Sequence, residues 1–305
     1  MKFLKYCFLI LFFYPLLLQA QQDEQSSMYM FNPLLFNPAY AGSKQEINVV
    51  GVARSQWIGM KGAPQSQFVS VHSPIKFRNM ALGVHLSNDK IGARSRTSAY
   101  LDYSYTLQLG KERKLNFGVS AGGDQIGVDY SQLYALDPTD PQYLASISQF
   151  KFNGGAGVYY HSNRFYAGLS VPRLIQAKLY DGSVLLSGSY FKRHYFLTGG
   201  YVFPINSVID LKTSVLIKMV SNAPVTADLN ANLFLYRKIW FGGMYRYNES
   251  VGVNAAYQIK ESLMFGYSFD YPINGLSSVR NFGSHEIMLS YVFGKNRAYG
   301  SPRYF

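Results

Sequence analysis

From residue 45 onward the chain divides into runs of about ten residues in which apolar and polar side chains alternate, the period of a strand whose two faces meet different surroundings. The run at 95–109 shows it most clearly. Thr97, Ala99, Leu101, Tyr103, Tyr105, Leu107 and Leu109 share one face, and Ser98, Tyr100, Asp102, Ser104, Thr106 and Gln108 share the other. At 114–124, Leu115, Phe117, Val119 and Ala121 stand against Asn116, Gly118, Ser120, Gly122 and Asp124. At 263–271, Leu263, Phe265, Tyr267, Phe269 and Tyr271 stand against Met264, Gly266, Ser268 and Asp270. Lipid outside and a polar lumen inside produce this division.

Strands are expected near 45–56, 65–73, 79–88, 95–109, 114–124, 152–161, 164–171, 193–203, 208–220, 225–236, 239–247, 250–259, 263–271 and 284–293. An even number closes an antiparallel up-and-down barrel with both ends on one side, and closure satisfies every backbone group inside the membrane. Connection lengths support this reading. The odd connections include the long ones, 125–151, 172–192 and 272–283, whereas even ones such as 110–113 and 162–163 are short. In an outer-membrane barrel the short turns face the periplasm, so both termini are expected there. A soluble sandwich has no reason to alternate loop length in this way.

Two stretches precede the strands. Lys2 and Lys5, an apolar run from Cys7 to Leu18 and the boundary Gln19-Ala20 form a secretory signal, expected to be cleaved after Ala20. The chain then carries Asn32-Pro33 and Asn37-Pro38 within Met30–Ser43. Each proline fixes its own φ and holds the preceding asparagine out of the helical region, so this gateway segment is expected to be extended, bent twice and docked through Leu34, Leu35, Phe36, Ala39 and Tyr40. The expected organisation is a signal peptide at 1–20, a periplasmic N-terminal segment at 21–44, the barrel at 45–293 and a basic periplasmic tail at 294–305.

Composition agrees with the pattern. The chain holds 26 Tyr, 22 Phe and 27 Gly with 15% charged residues, and its net charge is +12. Its single cysteine, Cys7, lies in the signal, which removes disulfide and thiol chemistry from the mature chain. Inward positions are expected to include Arg54, His72, His85, Asp102, Asp124, Asp210, Lys212, Lys218, Asp228, Arg246, Asp270 and Glu286. Acids and bases interleaved on one wall pair across a lumen, whereas a selective pore concentrates one sign into a ring, so a filled lumen is favoured over an open one. Gly283-Ser284-His285-Glu286 cannot act as a relay, because neighbouring residues on a strand point to opposite faces. His72 and His85 without a third ligand do not make a metal site, and neither a cofactor nor a nucleic-acid partner is expected.

The ordered series Asn37-Pro38-Ala39-Tyr40-Ala41-Gly42, Gln56-Trp57, Gly62-Ala63-Pro64 and Asp89-Lys90-Ile91-Gly92 resembles the PorP/SprF family of the type IX secretion system. The likeness continues through His194-Tyr195-Phe196, Gly199-Gly200-Tyr201, Tyr245-Arg246, Gly266-Tyr267-Ser268-Phe269-Asp270-Tyr271 and Gly283-Ser284-His285-Glu286-Ile287, with Phe269 standing where the pattern has tyrosine. The resemblance implies a non-enzymatic barrel in the outer membrane of a Gram-negative bacterium. It would work with the periplasmic ring and lipoproteins of the secretion machinery, and help to export or hold surface proteins such as gliding adhesins, or their C-terminal domains. A porin or small-solute transporter is the alternative. With both termini periplasmic, the candidate docking residues are Tyr29, Phe31, Asn37, Pro38 and Tyr40 before the barrel, and Arg297, Tyr304 and Phe305 after it, because aromatic and arginine anchors dominate interface centres.

Overall fold

The computed structural model describes residues 25–294 apart from 45, 77–78, 130, 132–145, 177–191, 222 and 279–280. Fourteen strands are formed: β1 Ile47–Ser55, β2 Gln65–Ile75, β3 Met80–Ile91, β4 Arg94–Gln108, β5 Lys114–Val128, β6 Ile147–His161, β7 Phe165–Val171, β8 His194–Pro204, β9 Ile209–Val220, β10 Thr226–Leu235, β11 Ile239–Arg246, β12 Ser250–Lys260, β13 Leu263–Pro272 and β14 Ser284–Phe293. Each pairs antiparallel with its chain neighbours, and β1 pairs with β14 from Ile47↔Phe293 to Ser55↔His285, which closes the barrel. Closure leaves no sheet edge, the condition for backbone to cross hydrocarbon.

The alternation read from the sequence is the alternation of the wall. On β4, Ser98, Tyr100, Asp102 and Ser104 are buried in the lumen while Leu101, Tyr103 and Tyr105 stand outward. All of the expected inward charges point to the lumen side, with Asp210 and Lys218 half-buried and the rest buried. One part of the wall extends past the pattern. β5 and β6 continue to Val128↔Ile147, so the two ends of the stretch 125–151 expected to be loop, 125–128 and 147–151, are ladder. On β5 Ile126 faces inward there while Gln125 faces outward, so the alternation of polarity fails on that strand although the hydrogen bonds persist, whereas on β6 Phe150, paired with Gln125, stays outward.

The strand ends Ile47 and Phe293 pair at the mouth that carries the short connections 76–79, 109–113, 162–164, 205–208, 236–238 and 261–262. The longer ones, 56–64, 129–146, 172–193 and 273–283, gather at the opposite mouth. The N-terminal segment differs from expectation. Residues 25–43 lie inside the barrel, from the Gln25 amide, which donates to Glu249 in the β11–β12 connection at the long-loop mouth, to Gly42 beside Ala81 and His72 at the short-turn mouth. The strands begin and end on one side, as an even count requires, but the start of the described chain stands at the other mouth. The tail at 295–305 lies outside the described residues.

Local chemistry explains the shape of the segment. It forms three single 3₁₀ turns, Tyr29–Phe31, Pro33–Leu35 and Pro38–Tyr40, rather than a continuously extended run. Proline at the first position of a turn has the φ that the turn needs, while the asparagine before it stays out of the helical region, at φ −135° and ψ 61° for Asn32 and extended at φ −141° and ψ 108° for Asn37. Asn37 also caps the third turn by accepting from the Ala39 amide at 3.0 Å. Gly42, at φ +73°, then turns the chain toward β1, a conformation that strains any residue with a Cβ.

Candidate functional site

The site that the fold builds is the lumen together with its occupant. Near the long-loop mouth, Arg54 on β1, Asp270 on β13 and Glu286 on β14 meet across the β1–β14 seam, with side chains at most 3% exposed. Arg54 Nη1 donates to Asp270 Oδ1 at 2.7 Å and to Glu286 Oε2 at 3.2 Å, and Nη2 donates to Asp270 Oδ2 at 3.0 Å. One guanidinium faces two carboxylates. The N-terminal segment makes up the deficit: Ser26 Oγ and the Met28 amide donate to Glu286 Oε1 at 2.7 and 2.9 Å, and the Ser27 amide donates to Oε2 at 2.8 Å. Ser27 Oγ donates to Asp270 at 2.8 Å while accepting from Arg54 at 2.8 Å. Hydrogen bonds to carboxylates are stronger than neutral ones, so these donors tie the segment to both β13 and β14.

A second charged group lies on the neighbouring wall. Arg246 Nε and Lys218 Nζ both donate to Asp228, at 2.9 and 3.0 Å, and Arg246 Nη1 reaches Glu249 at 3.5 Å. Arg246→Ala is expected to destabilise the barrel by about 2–3 kcal/mol, less than removing the only partner of a buried acid, because Lys218 stays on Asp228. Urea titration followed by tyrosine fluorescence checks this, and an unmoved midpoint would contradict it.

Below these clusters the occupant is held by aromatic contacts. The Phe31 ring meets Trp240 edge-on at 5.7 Å, and Trp240 stacks on Phe234 at 4.1 Å. Lys212 Nζ stands 5.7–5.9 Å from the ring centroids of Phe31, Tyr166 and Trp240, within cation–π range of all three. Phe36 packs on Phe196 at 5.3 Å, and Tyr40 meets His72 and Tyr159 edge-on at 5.4 Å each. The Tyr29 hydroxyl donates to the Asp228 carbonyl at 3.2 Å.

The wall also reads the backbone of the segment. Ser170 Oγ donates to the Phe36 carbonyl at 2.7 Å, Asn116 Nδ2 to the Ala39 carbonyl at 3.1 Å and Ser104 Oγ to the Ala41 carbonyl at 2.7 Å. Asn37 Nδ2 donates outward to the Val158 carbonyl at 3.0 Å, Ser70 Oγ reaches Asn32 Oδ1 at 2.6 Å, and the Gly42 amide donates to His72 Nδ1 at 3.1 Å. Gly118 lies against the main chain of the segment: a Cβ built on it would overlap the Pro38–Ala39 backbone.

Of the candidate docking residues, Tyr29, Phe31, Asn37, Pro38 and Tyr40 are all buried against the lumen wall. Met28, Tyr29, Met30, Phe31 and Phe36 share a buried apolar cluster with Phe196, Trp240 and Met264 of the wall, and that burial favours their seat in the lumen. Arg297, Tyr304 and Phe305 lie outside the described residues. His72 and His85 serve different neighbours, His85 contacting Asp102 at 2.8 Å and stacking on Tyr100. Ser284 and Glu286 point inward whereas His285 points outward to the Tyr267 hydroxyl at 2.6 Å, and Phe269 packs on that outward imidazole. The described residues contain no group of three or more His, Cys, Asp or Glu placed to hold a metal ion. Sequence reasoning missed Ser26 and Ser27, which no periodicity marks.

The family model described as type IX secretion system membrane protein PorP/SprF matches residues 18–291. Among solved structures the chain is similar to the Ralstonia pickettii toluene transporter TbuX, with 8% identity, a TM-score of 0.49, and 88% of this chain and 94% of that one covered. It is also similar to the Acinetobacter baumannii outer membrane protein Omp33, with 12% identity, a TM-score of 0.44, and 82% and 98% covered. The KdgM porin aligns at 10% identity and a TM-score of 0.41 over 81% of this chain and 99% of that one. No curated protein matches the chain.

Proposed function

Starting from the chain's membership of the PorP/SprF family of type IX secretion system membrane proteins, an outer-membrane barrel, we propose that it helps to export or retain surface proteins without catalysing a reaction. The exported partners would be proteins such as gliding adhesins, or their C-terminal domains, and the machinery partners the periplasmic ring and lipoproteins. Membership of a secretion system itself implies contact with other secretion components. The observation that favours this reading over a porin is the lumen filled by residues 28–41, which bury Met28, Tyr29, Leu34, Phe36, Ala39 and Tyr40 across its width. A solute channel keeps a water-filled path with charged rings. Here the charges are spent on one another and on the occupant.

The working surfaces are therefore the two mouths. At the short-turn mouth the basic tail, with Arg297, Tyr304 and Phe305, would dock periplasmic components. Deleting 295–305 is expected to leave the barrel assembled and to reduce co-purification of ring and lipoprotein components several-fold. Equal recovery with intact and truncated chains would remove the tail from this role. Loss of the whole chain is expected to leave particular surface proteins in the periplasm while uptake of small solutes is unchanged; the reverse pattern would favour a porin.

A further inference from the structure

We infer that the lumen is a peptide-binding site, filled in cis by residues 25–43, and that it takes in trans an extended segment of an exported polypeptide. The identity of that trans occupant rests on the secretion reading above; the existence of the site does not. Three features distinguish a binding site from an ordinary core. The wall addresses the occupant's main chain, through Ser104, Asn116 and Ser170 to the carbonyls of Ala41, Ala39 and Phe36. Contacts of that kind depend weakly on sequence and suit an unfolded chain. Side-chain choice is confined to separate aromatic seats: Phe31 against Trp240 and Lys212, Phe36 against Phe196, and Tyr40 between His72 and Tyr159. The occupant has only single 3₁₀ turns, so it brings no folded structure of its own to the wall.

Connectivity adds a direction. The segment joins β1 at the short-turn mouth, where the stretch from Ser43 to Ile47 tethers it, and its upstream end stands at the long-loop mouth beside Glu249. A chain tethered in this way leaves the lumen only through the mouth of its tether. The seats are thus cleared toward the short-turn side, the side from which an exported polypeptide would arrive.

Exchange tests the site directly on the full chain. A protease site placed after Lys44 lets the segment be cut in detergent and challenged with a labelled synthetic peptide of residues 25–44. A second peptide carries Phe31→Ala, Phe36→Ala and Tyr40→Ala. The cut segment is expected to stay with the barrel on gel filtration, to exchange for the labelled peptide, and to be displaced at least about tenfold less well by the aromatic-free peptide. A reversible lock guards against binding elsewhere. Asn32→Cys with Ser70→Cys joins two side chains already in contact, in a mature chain expected to lack cysteine. Oxidation should block uptake and reduction restore it. A barrel that unravels on cutting, a segment that never exchanges, equal uptake of both peptides, or uptake that ignores the lock would each overturn the site. Successful exchange beside normal surface export in cells lacking the chain would remove only the named occupant.

Discussion

Arg54→Ala is expected to destabilise the barrel by about 3–5 kcal/mol, the largest effect of any single substitution in the lumen. The guanidinium is fully buried and reaches from β1 to Asp270 on β13 and Glu286 on β14, so its removal leaves two carboxylates on neighbouring strands without the cation they share. Glu286 retains the Ser26 hydroxyl and two backbone amides from the N-terminal segment, whereas Asp270 retains the Ser27 hydroxyl. Those donors soften the loss but bring no positive charge. Arg54→Lys should recover only part of it, because an ammonium cannot span both oxygens of Asp270 as the fork does. The urea midpoint and the heat-modifiable gel shift report the result. A variant as stable as the parent would mean that the seam is held by its ladder alone.

Gly118→Val is expected to displace the N-terminal segment while the wall stays closed. A Cβ on Gly118 would occupy the space of the Ala39 amide and the Pro38 carbonyl carbon, both main-chain atoms that cannot rotate away. Overpacking against rigid neighbours costs roughly 1–3 kcal/mol, and the segment relieves it by lifting from the Asn116 and Ser104 donors. The expected signature is protease sensitivity within 25–43 with an unchanged strand content by circular dichroism. Gly51→Ala is the matched control. Nothing lies within 4 Å of a Cβ there, so its effect should stay within about 0.5 kcal/mol.

The wall was legible in the sequence because two solvents imprint a period of two on every strand that separates them. The run from Thr97 to Leu109 assigns its faces without any tertiary information. The signal fades on β5 from Gln125 to Val128, where the ladder goes on although the alternation of polarity does not. The charged residues of the lumen were legible as inward, and Arg246 as one of a paired set. Their partners were not. Arg54 and Glu286 are 232 residues apart, and the register that joins them is fixed only when β1 closes on β14. The apolar residues of the N-terminal segment predict docking, and most of them are buried, but a one-dimensional pattern does not separate a lumen from a mouth, so their seat inside the barrel is not legible in it. Ser26 and Ser27 gave no signal at all. They matter only because the topology carries them to the carboxylates of β13 and β14.

Single-channel recording of the purified, uncut chain in planar bilayers tests most directly whether the N-terminal segment fills the lumen. The intact protein is expected to insert without a steady ionic current, and Gly118→Val to open one. A stable, ohmic conductance from the intact chain, unchanged by Gly118→Val, would contradict the filled lumen and return the barrel to the porins.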